Sequence, residues 1–451
     1  MAVHIFWPDE EDLRLRGFDP VKHVPCLFNG EWVYLREPST YLIERALLDW
    51  APGTKNNQGS NKIPTKQSLQ VYAESLSNFL EWAEMRGVDW KTATYNDHLL
   101  RGYQKEMNQG SWSASGASLS PSTINGRVQE ACNLLSWAHD RGLRDKFVVP
   151  TKVRVVRVGG ATSSHGHRTR EVQVRVGKVR RHPRTLSLPT DELVRKWLYA
   201  VRIRRGATKA LMSELILMTA VRREEAASWR LDTLPENPAD WKVIGNEVSV
   251  TIRFGTKGQD FGEDAGDKIG PERTIGIPLE FAHRLHEYRR GPRLEARAKW
   301  VRSASTTAEK RARIARPSPH LFLSESTGQN ITAKTLYEAW TGAGQMPFDG
   351  WSPHLGRHYW ACKTLLNEAT KRATLLASGN HNLPIDWITA NSMSDIQLLI
   401  KPQLGHIDQE TTEMYLGWVT RIFAGGEMQL QYSDHLDSIR SDLIDESVSG
   451  G

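Results

Sequence analysis

Residues 404–415 read Leu404-Gly405-His406-Ile407-Asp408-Gln409-Glu410-Thr411-Thr412-Glu413-Met414-Tyr415. Alone, the stretch is unremarkable, since a tyrosine between Met414 and Leu416 is an ordinary packing residue. Three pieces upstream give it meaning: Thr219-Ala220-Val221-Arg222-Arg223-Glu224-Glu225, Gly255-Thr256-Lys257-Gly258 and His354-Leu355-Gly356-Arg357-His358. Each has a bland explanation of its own. Arg222 and Glu225 have the three-residue spacing of a solvated helical pair. A lone His-x-x-Arg fits the surface of any helix, and Lys257 fits any turn.

Order and spacing change that. The series resembles the tyrosine recombinase, or phage integrase, family. Its catalytic domain presents an arginine in a Thr-Gly-Leu-Arg-x-x-Glu context, a hairpin lysine, His-x-Leu-Arg-His, then Leu-Gly-His and a tyrosine. Arg222, Lys257, His354, Arg357, His406 and Tyr415 match those positions in that order, with Glu225 and His358 in supporting places. The resemblance spans roughly 187 to 420, and the helical region at 62–148 is similar to the family's core-binding domain.

The chemistry implied needs these residue types. A phosphodiester resists attack because its anionic oxygens repel nucleophiles and its alkoxide leaves poorly. Arg222 and Arg357 are assigned to a clamp, since forked and permanently charged donors suit nonbridging oxygens. His354, one helical turn before Arg357 and on the same face, adds a hydrogen bond or shuttles the tyrosine's proton. Tyr415 is the nucleophile of a covalent phosphotyrosyl intermediate. The resemblance gives Lys257 the general-acid role, with Lys268 in the same long loop a rival, and His406 a hydrogen bond to the phosphate. Glu225 orients its neighbours. No cofactor is expected: the chain has neither a Gly-Lys-Ser phosphate loop nor a His, Cys or Asp cluster at metal-ligand spacing. The pattern departs from the family at Ala220-Val221, where Gly-Leu is usual, and at Gly356, where leucine is common. The interval from His358 to Leu404 is also longer than the family's.

Working outward, 451 residues exceed what one hydrophobic core serves, so two or three domains are expected. Hydrophobic residues are 39% and charged residues 25%, and no apolar run approaches a bilayer span, which predicts a soluble chain without membrane contact. Asp9, Glu10, Glu11 and Asp12 stand where a secretory signal would carry cations, so a cytoplasmic, nucleoid-associated location is expected. Three scattered cysteines support no disulfide framework.

The formal charge is +7, and its distribution is informative. Between Thr151 and Thr185 lie Lys152, Arg154, Arg157, Arg168, Arg170, Arg175, Lys178, Arg180, Arg181 and Arg184 against Glu171 alone, a surplus of +9. Valines alternate with polar residues there, which predicts an extended, partly stranded linker lying along a duplex. Arg154, Arg157, Arg168, Arg170, Arg175, Lys178, Arg180 and Arg181 are the candidate DNA contacts.

The expected boundaries are an N-terminal extension at 1–61, a helical core-binding domain at 62–148, the basic linker at 149–186, the catalytic domain at 187–425 and a tail at 426–451. Ser120 with Pro121 marks one helix start, and Val248, Val250, Ile252 and Phe254 alternate toward a hairpin closed by Ile275 and Ile277. The expected fold is mainly α with a small antiparallel β-sheet, arranged as a two-domain DNA clamp. The expected partners are double-stranded DNA, further copies of the chain in a tetramer, and accessory DNA-bending proteins. The expected activity is site-specific recombination of a mobile element. The competing readings are a type IB topoisomerase-like or telomere-resolving enzyme, and a catalytically silent DNA-binding regulator.

Overall fold

Several of the longer helices start at hydroxyl caps. Thr65 accepts from the Ser68 amide at 3.2 Å, Ser120 from the Thr123 amide at 3.1 Å and Thr190 from the Leu193 amide at 3.4 Å, each satisfying a backbone donor that the first turn leaves open. The computed structural model describes residues 2–53, 63–158, 168–180, 186–260, 268–376, 385–405 and 410–422. These residues form a mainly α fold with small antiparallel sheets, two of two strands and one of three. Among them, no helix is long and apolar enough to cross a membrane. The chain divides into two compact units, Met1–His182 and Pro183–Gly451.

The first unit packs the helices Arg36–Leu47, Lys66–Met85 and Pro121–Asp140, with a π-helical turn over Tyr95–Gln104, around one core. The N-terminal residues, set apart in sequence as an extension, belong to that core. Val3, Leu27, Tyr41 and Leu42 are buried with Leu76, Phe79, Ile124 and Leu135. The short strands β1 (His4–Phe6) and β2 (Cys26–Phe28) pair antiparallel. The Val3 amide donates to Glu81 at 2.7 Å, and Tyr41 donates to Glu130 at 2.6 Å. Sequence sets residues 1–61 apart because their burial partners lie far downstream, Glu130 being 89 residues from Tyr41.

The basic segment is a hairpin of β3 (Thr151–Val158) and β4 (Arg168–Arg175), in register from Thr151 opposite Arg175 to Val158 opposite Arg168. Its base is fastened to the helical core. Arg175 is 4% exposed and donates to the Tyr95 hydroxyl at 2.7 Å, Gln104 Oε1 at 3.0 Å and Asn125 Oδ1 at 3.3 Å. This departs from its assignment as a DNA contact, because at 4% exposure the guanidinium, with both terminal nitrogens bonded inside the core, is not presented at the surface. Lys178 and Arg180 are exposed. The side chains of Arg154, Arg157, Arg168 and Arg170, and all of Arg181, lie outside the described residues.

The second unit builds its main core from the helices Asp191–Arg205, Ala207–Thr219, Leu279–Arg290 and Ala333–Thr341 packed on a three-stranded sheet. That sheet is β5 (Lys242–Ile244), β6 (Glu247–Asp260) and β7 (Lys268–Pro278), with Val248 opposite Ile277 and Val250 opposite Ile275. Buried Trp197, Trp340 and Trp351 pack against one another in tilted and edge-on contacts, with Trp197 and Trp340 centroids 4.3 Å apart. A satellite core lies apart from this one. There the long helix Pro353–Leu376 meets Ile388, Ile396 and Ile400 and the helix over 410–422. The interval between His358 and Leu404 that sequence left without a role therefore supplies the packing surface under the helix that carries Tyr415.

Candidate active site

The site begins where the helix Ala207–Thr219 stops. Ala220 adopts a left-handed backbone, φ 54°, although it is fully buried and carries a Cβ. Glycine takes that conformation without cost, so the Ala220-Val221 departure is a strained stop held by its surroundings. The chain then turns into the short helix Arg223–Ala227, and Glu225 closes the turn by accepting from the Arg222 amide at 2.6 Å and the Arg222 guanidinium at 2.8 Å.

Strand β7 adds a residue that sequence reading missed. Alternation puts Ile275 and Ile277 on the core face, and two residues earlier the same parity turns Arg273 inward. Its guanidinium grips both Glu225 oxygens, Nη1 to Oε1 at 2.6 Å and Nη2 to Oε2 at 2.7 Å, while Nε donates to the Gln403 carbonyl at 3.0 Å. Gln403, also missed, inserts its amide between the Thr219 and Gly276 carbonyls at 2.9 and 2.8 Å. An arginine in line with two inward isoleucines was the available signal for the first. Nothing local marks the second.

Arg357 enters from the long helix. It donates to the carbonyls of Ala220 and of Leu404, the latter at 3.0 Å, and lies 4.0 Å from Glu225 Oε2. Gly356, just before it, is required. A Cβ there would fall 2.7 Å from Trp340 Cη2, so the tryptophan occupies the space that a larger side chain at this position would need.

His358, Tyr415 and His354 form a chain. Tyr415 is 1% exposed, and its hydroxyl lies 2.8 Å from His358 Nδ1. The other nitrogen of His358 lies 3.1 Å from Nε2 of His354, which faces solvent. When the phenol donates to Nδ1, His358 carries its own proton on Nε2 and donates onward, which makes a path from the buried hydroxyl to the surface.

The side chain of Lys257 and that of Lys268 lie outside the described residues, as does His406. Backbone beside two of them is placed. Gly255, at φ +69°, packs so closely on Glu224 and Glu225 that a Cβ would strike their backbone, so β6 touches the Arg222 turn two residues before Lys257. A Cβ on Gly405 would lie 3.6 Å from Arg222 Nη2, so the chain passes against that guanidinium one residue before His406.

Three guanidiniums around one carboxylate leave the group electropositive. Burial pushes the Glu225 carboxyl up, but the hydrogen bonds and charge of Arg273, together with Arg222, outweigh it and hold the carboxyl below its usual range. Burial, and next the charge of Arg222, push Arg357 down to about 9, with Glu225 acting in the opposite sense. Arg357 thus stays charged at neutral pH without enough counter-charge, and Tyr415 is near enough to act on it electrostatically. Arg222 keeps a quarter of its side chain exposed. Such a surplus of positive charge, with part of Arg222 exposed, is chemically able to hold an oxyanion.

Solved structures of recombinases resemble this chain. XerA recombinase aligns over 88% of this chain and 98% of its own, at 14% identity and a TM-score of 0.30. The Tn1549 transposon integrase in complex with circular intermediate DNA aligns over 80% and 98%, at 14% identity and a TM-score of 0.42. A lambda integrase dimer bound to a COC' core site aligns over 84% and 94%, at 11% identity and a TM-score of 0.39. No protein-family model matches the sequence, and no curated protein matches it.

Proposed function

We propose that this chain is a tyrosine site-specific recombinase of the integrase type, a strand transferase that cleaves and rejoins double-stranded DNA through a 3'-phosphotyrosyl intermediate. The observation supporting it is the meeting of distant segments. Arg357 bonds the carbonyl of Ala220, 137 residues away, and the helix turn holding it presents His358 to Tyr415, 57 residues further on.

In this reading Arg222 and Arg357 take the nonbridging oxygens of the scissile phosphate and stabilise the charge that builds as phosphorus becomes five-coordinate. The Tyr415 oxygen forms a bond to phosphorus while the bond from phosphorus to the 5' oxygen breaks. The phenol proton passes to His358 Nδ1 and leaves through His354. The departing 5' oxygen takes a proton from Lys257, with Lys268 the alternative donor, and His406 donates to the phosphate. Because the phosphoryl bond is conserved on Tyr415, a new 5' hydroxyl reverses the step without a nucleotide cofactor.

Strand exchange joins two sites, each held by two protomers, so the working assembly is a tetramer, assisted by accessory DNA-bending proteins at a mobile element that is integrated, excised or resolved. The exposed Lys178 and Arg180, just after β4, track the phosphate backbone. Incubation with the flanks of the protein's own genetic element, followed by denaturing electrophoresis, tests the proposal. Wild type should yield protein-linked DNA, and Tyr415→Phe should bind the same DNA and yield none. Absence of any adduct from wild type would make the chain a regulator, whereas relaxation of DNA lacking a specific site by a monomer would make it a topoisomerase.

A further inference from the structure

We propose that Arg273 is a positioning residue whose charge offsets that of Glu225, so that the group it forms with Arg222 and Arg357 keeps a net surplus of two for the reacting phosphate. The inference rests on the recombinase reading and concerns a residue outside the motif series. Counting the four side chains joined by these contacts, three guanidiniums against one carboxylate leave +2 (3 − 1 = 2). Without Arg273 the same group would hold +1 (2 − 1 = 1), with Arg222 and Arg357 left to answer Glu225.

The difference matters because of what the charge must match. A phosphodiester is a monoanion, and when Tyr415 gives up its proton and attacks, the five-coordinate state becomes a dianion. A surplus of two matches that state, whereas a surplus of one matches the starting diester. Charge complementary to the activated state lowers the barrier, and charge complementary to the ground state only tightens binding.

Geometry makes Arg273 suited to this indirect role. Its two terminal nitrogens both go to Glu225 and its Nε to Gln403, so each nitrogen of the fork is engaged within the fold. The side chain is 12% exposed and Glu225 is fully enclosed, so the pair is shielded from the water that would otherwise weaken it. The Gln403 contact serves a second purpose. It fixes the carbonyl one residue before Leu404, whose own carbonyl holds Arg357, and so ties the neutralising pair to the segment leading to His406.

A charge cycle with two readouts tests this. Arg273→Met should slow adduct formation with the protein's own DNA by about a hundredfold while DNA affinity stays within about threefold, because the deficit is felt mainly in the activated state. Adding Glu225→Gln in the same chain removes the carboxylate's charge, restores +2 and should recover at least about tenfold of the rate. Inorganic sulfate, a dianion, is the second probe. Its affinity, measured by calorimetry, should fall in Arg273→Met and return in the double variant.

A double variant no better than the single one in either readout would reduce Arg273 to a packing strut and overturn the proposal. Should Arg273→Met fail to fold, Arg273→Lys replaces it: retention of most of the rate supports charge as the determinant, and loss as deep as removal of Glu225 overturns it. A wild type that forms no adduct yet shows the sulfate pattern would end the recombinase reading and leave the charge assignment standing. Adduct formation without the pattern would do the reverse.

Discussion

Gly356 shows how one atom decides how the side chain that follows it is presented. The next residue is Arg357, and the indole of Trp340 fills the space beside the glycine. Gly356→Leu, which restores the residue common in the family, should therefore destabilise the protein by about 1–3 kcal/mol through overpacking. A urea denaturation midpoint equal to that of wild type would contradict that. Glu225 makes a prediction in pH. Its carboxyl is held below 4.5 in the fold by Arg273 and Arg222, against the push of burial, so the ionised form is the stabilising one. That contribution is complete above the unfolded value and is lost as pH falls through the lower folded value. Between about pH 5 and pH 3, wild type should lose stability more steeply than Glu225→Gln, which has no proton to take up there. Parallel curves of unfolding free energy against pH would refute this.

The helix over 410–422 owes its position to packing on a satellite core and not on the sheet. Ile396, Ile400 and Leu365 form the surface beneath Tyr415 and Val419, and the bidentate pair of Arg372 with Asp395, at 2.7 and 2.6 Å, closes that surface from the far side. Asp395→Asn should loosen the assembly by about 1 kcal/mol, a modest figure because a third of the Arg372 side chain is exposed. Hydrogen exchange should then quicken severalfold at 410–422 and stay unchanged in β6 and β7. Equal acceleration in the sheet would mean that the two cores unfold as one. The Tyr415 helix was legible only as a tyrosine after Leu-Gly-His, since its support comes from the interval that no motif covers.

The chain as a whole carries a small surplus of +7 that its basic hairpin region more than accounts for. Phosphate contacts release counterions, so the logarithm of DNA affinity should fall linearly with the logarithm of salt, steeply if several cations are engaged. Lys178→Ala and Arg180→Ala should each reduce the slope by about one, whereas Arg175→Met should leave the slope alone and lower stability by about 1–3 kcal/mol, because it strips a buried donor from Tyr95, Gln104 and Asn125. A salt response that is nearly flat in wild type would remove the hairpin from the DNA surface. A slope reduced by the Arg175 change would reinstate that residue as a contact.

By itself the sequence determined the kinds of residue available and their order: Arg222, His354, Arg357, His406 and Tyr415 each stand in a short motif read from chain neighbours, and the alternation at 248–254 and 275–277 was enough to read the core-facing parts of β6 and β7, though not their continuation to Asp260 and from Lys268, which the sequence reading left as loop. Tertiary structure decided what each side chain meets. The grip of Arg273 on Glu225 spans 48 residues, the burial of Arg175 spans 80 to Tyr95, and the N-terminal residues joined a core whose other half comes much later. Period and spacing express local backbone geometry, whereas an ion pair or a filled cavity exists only after distant segments have closed on one another, which is why those assignments could not be read in advance.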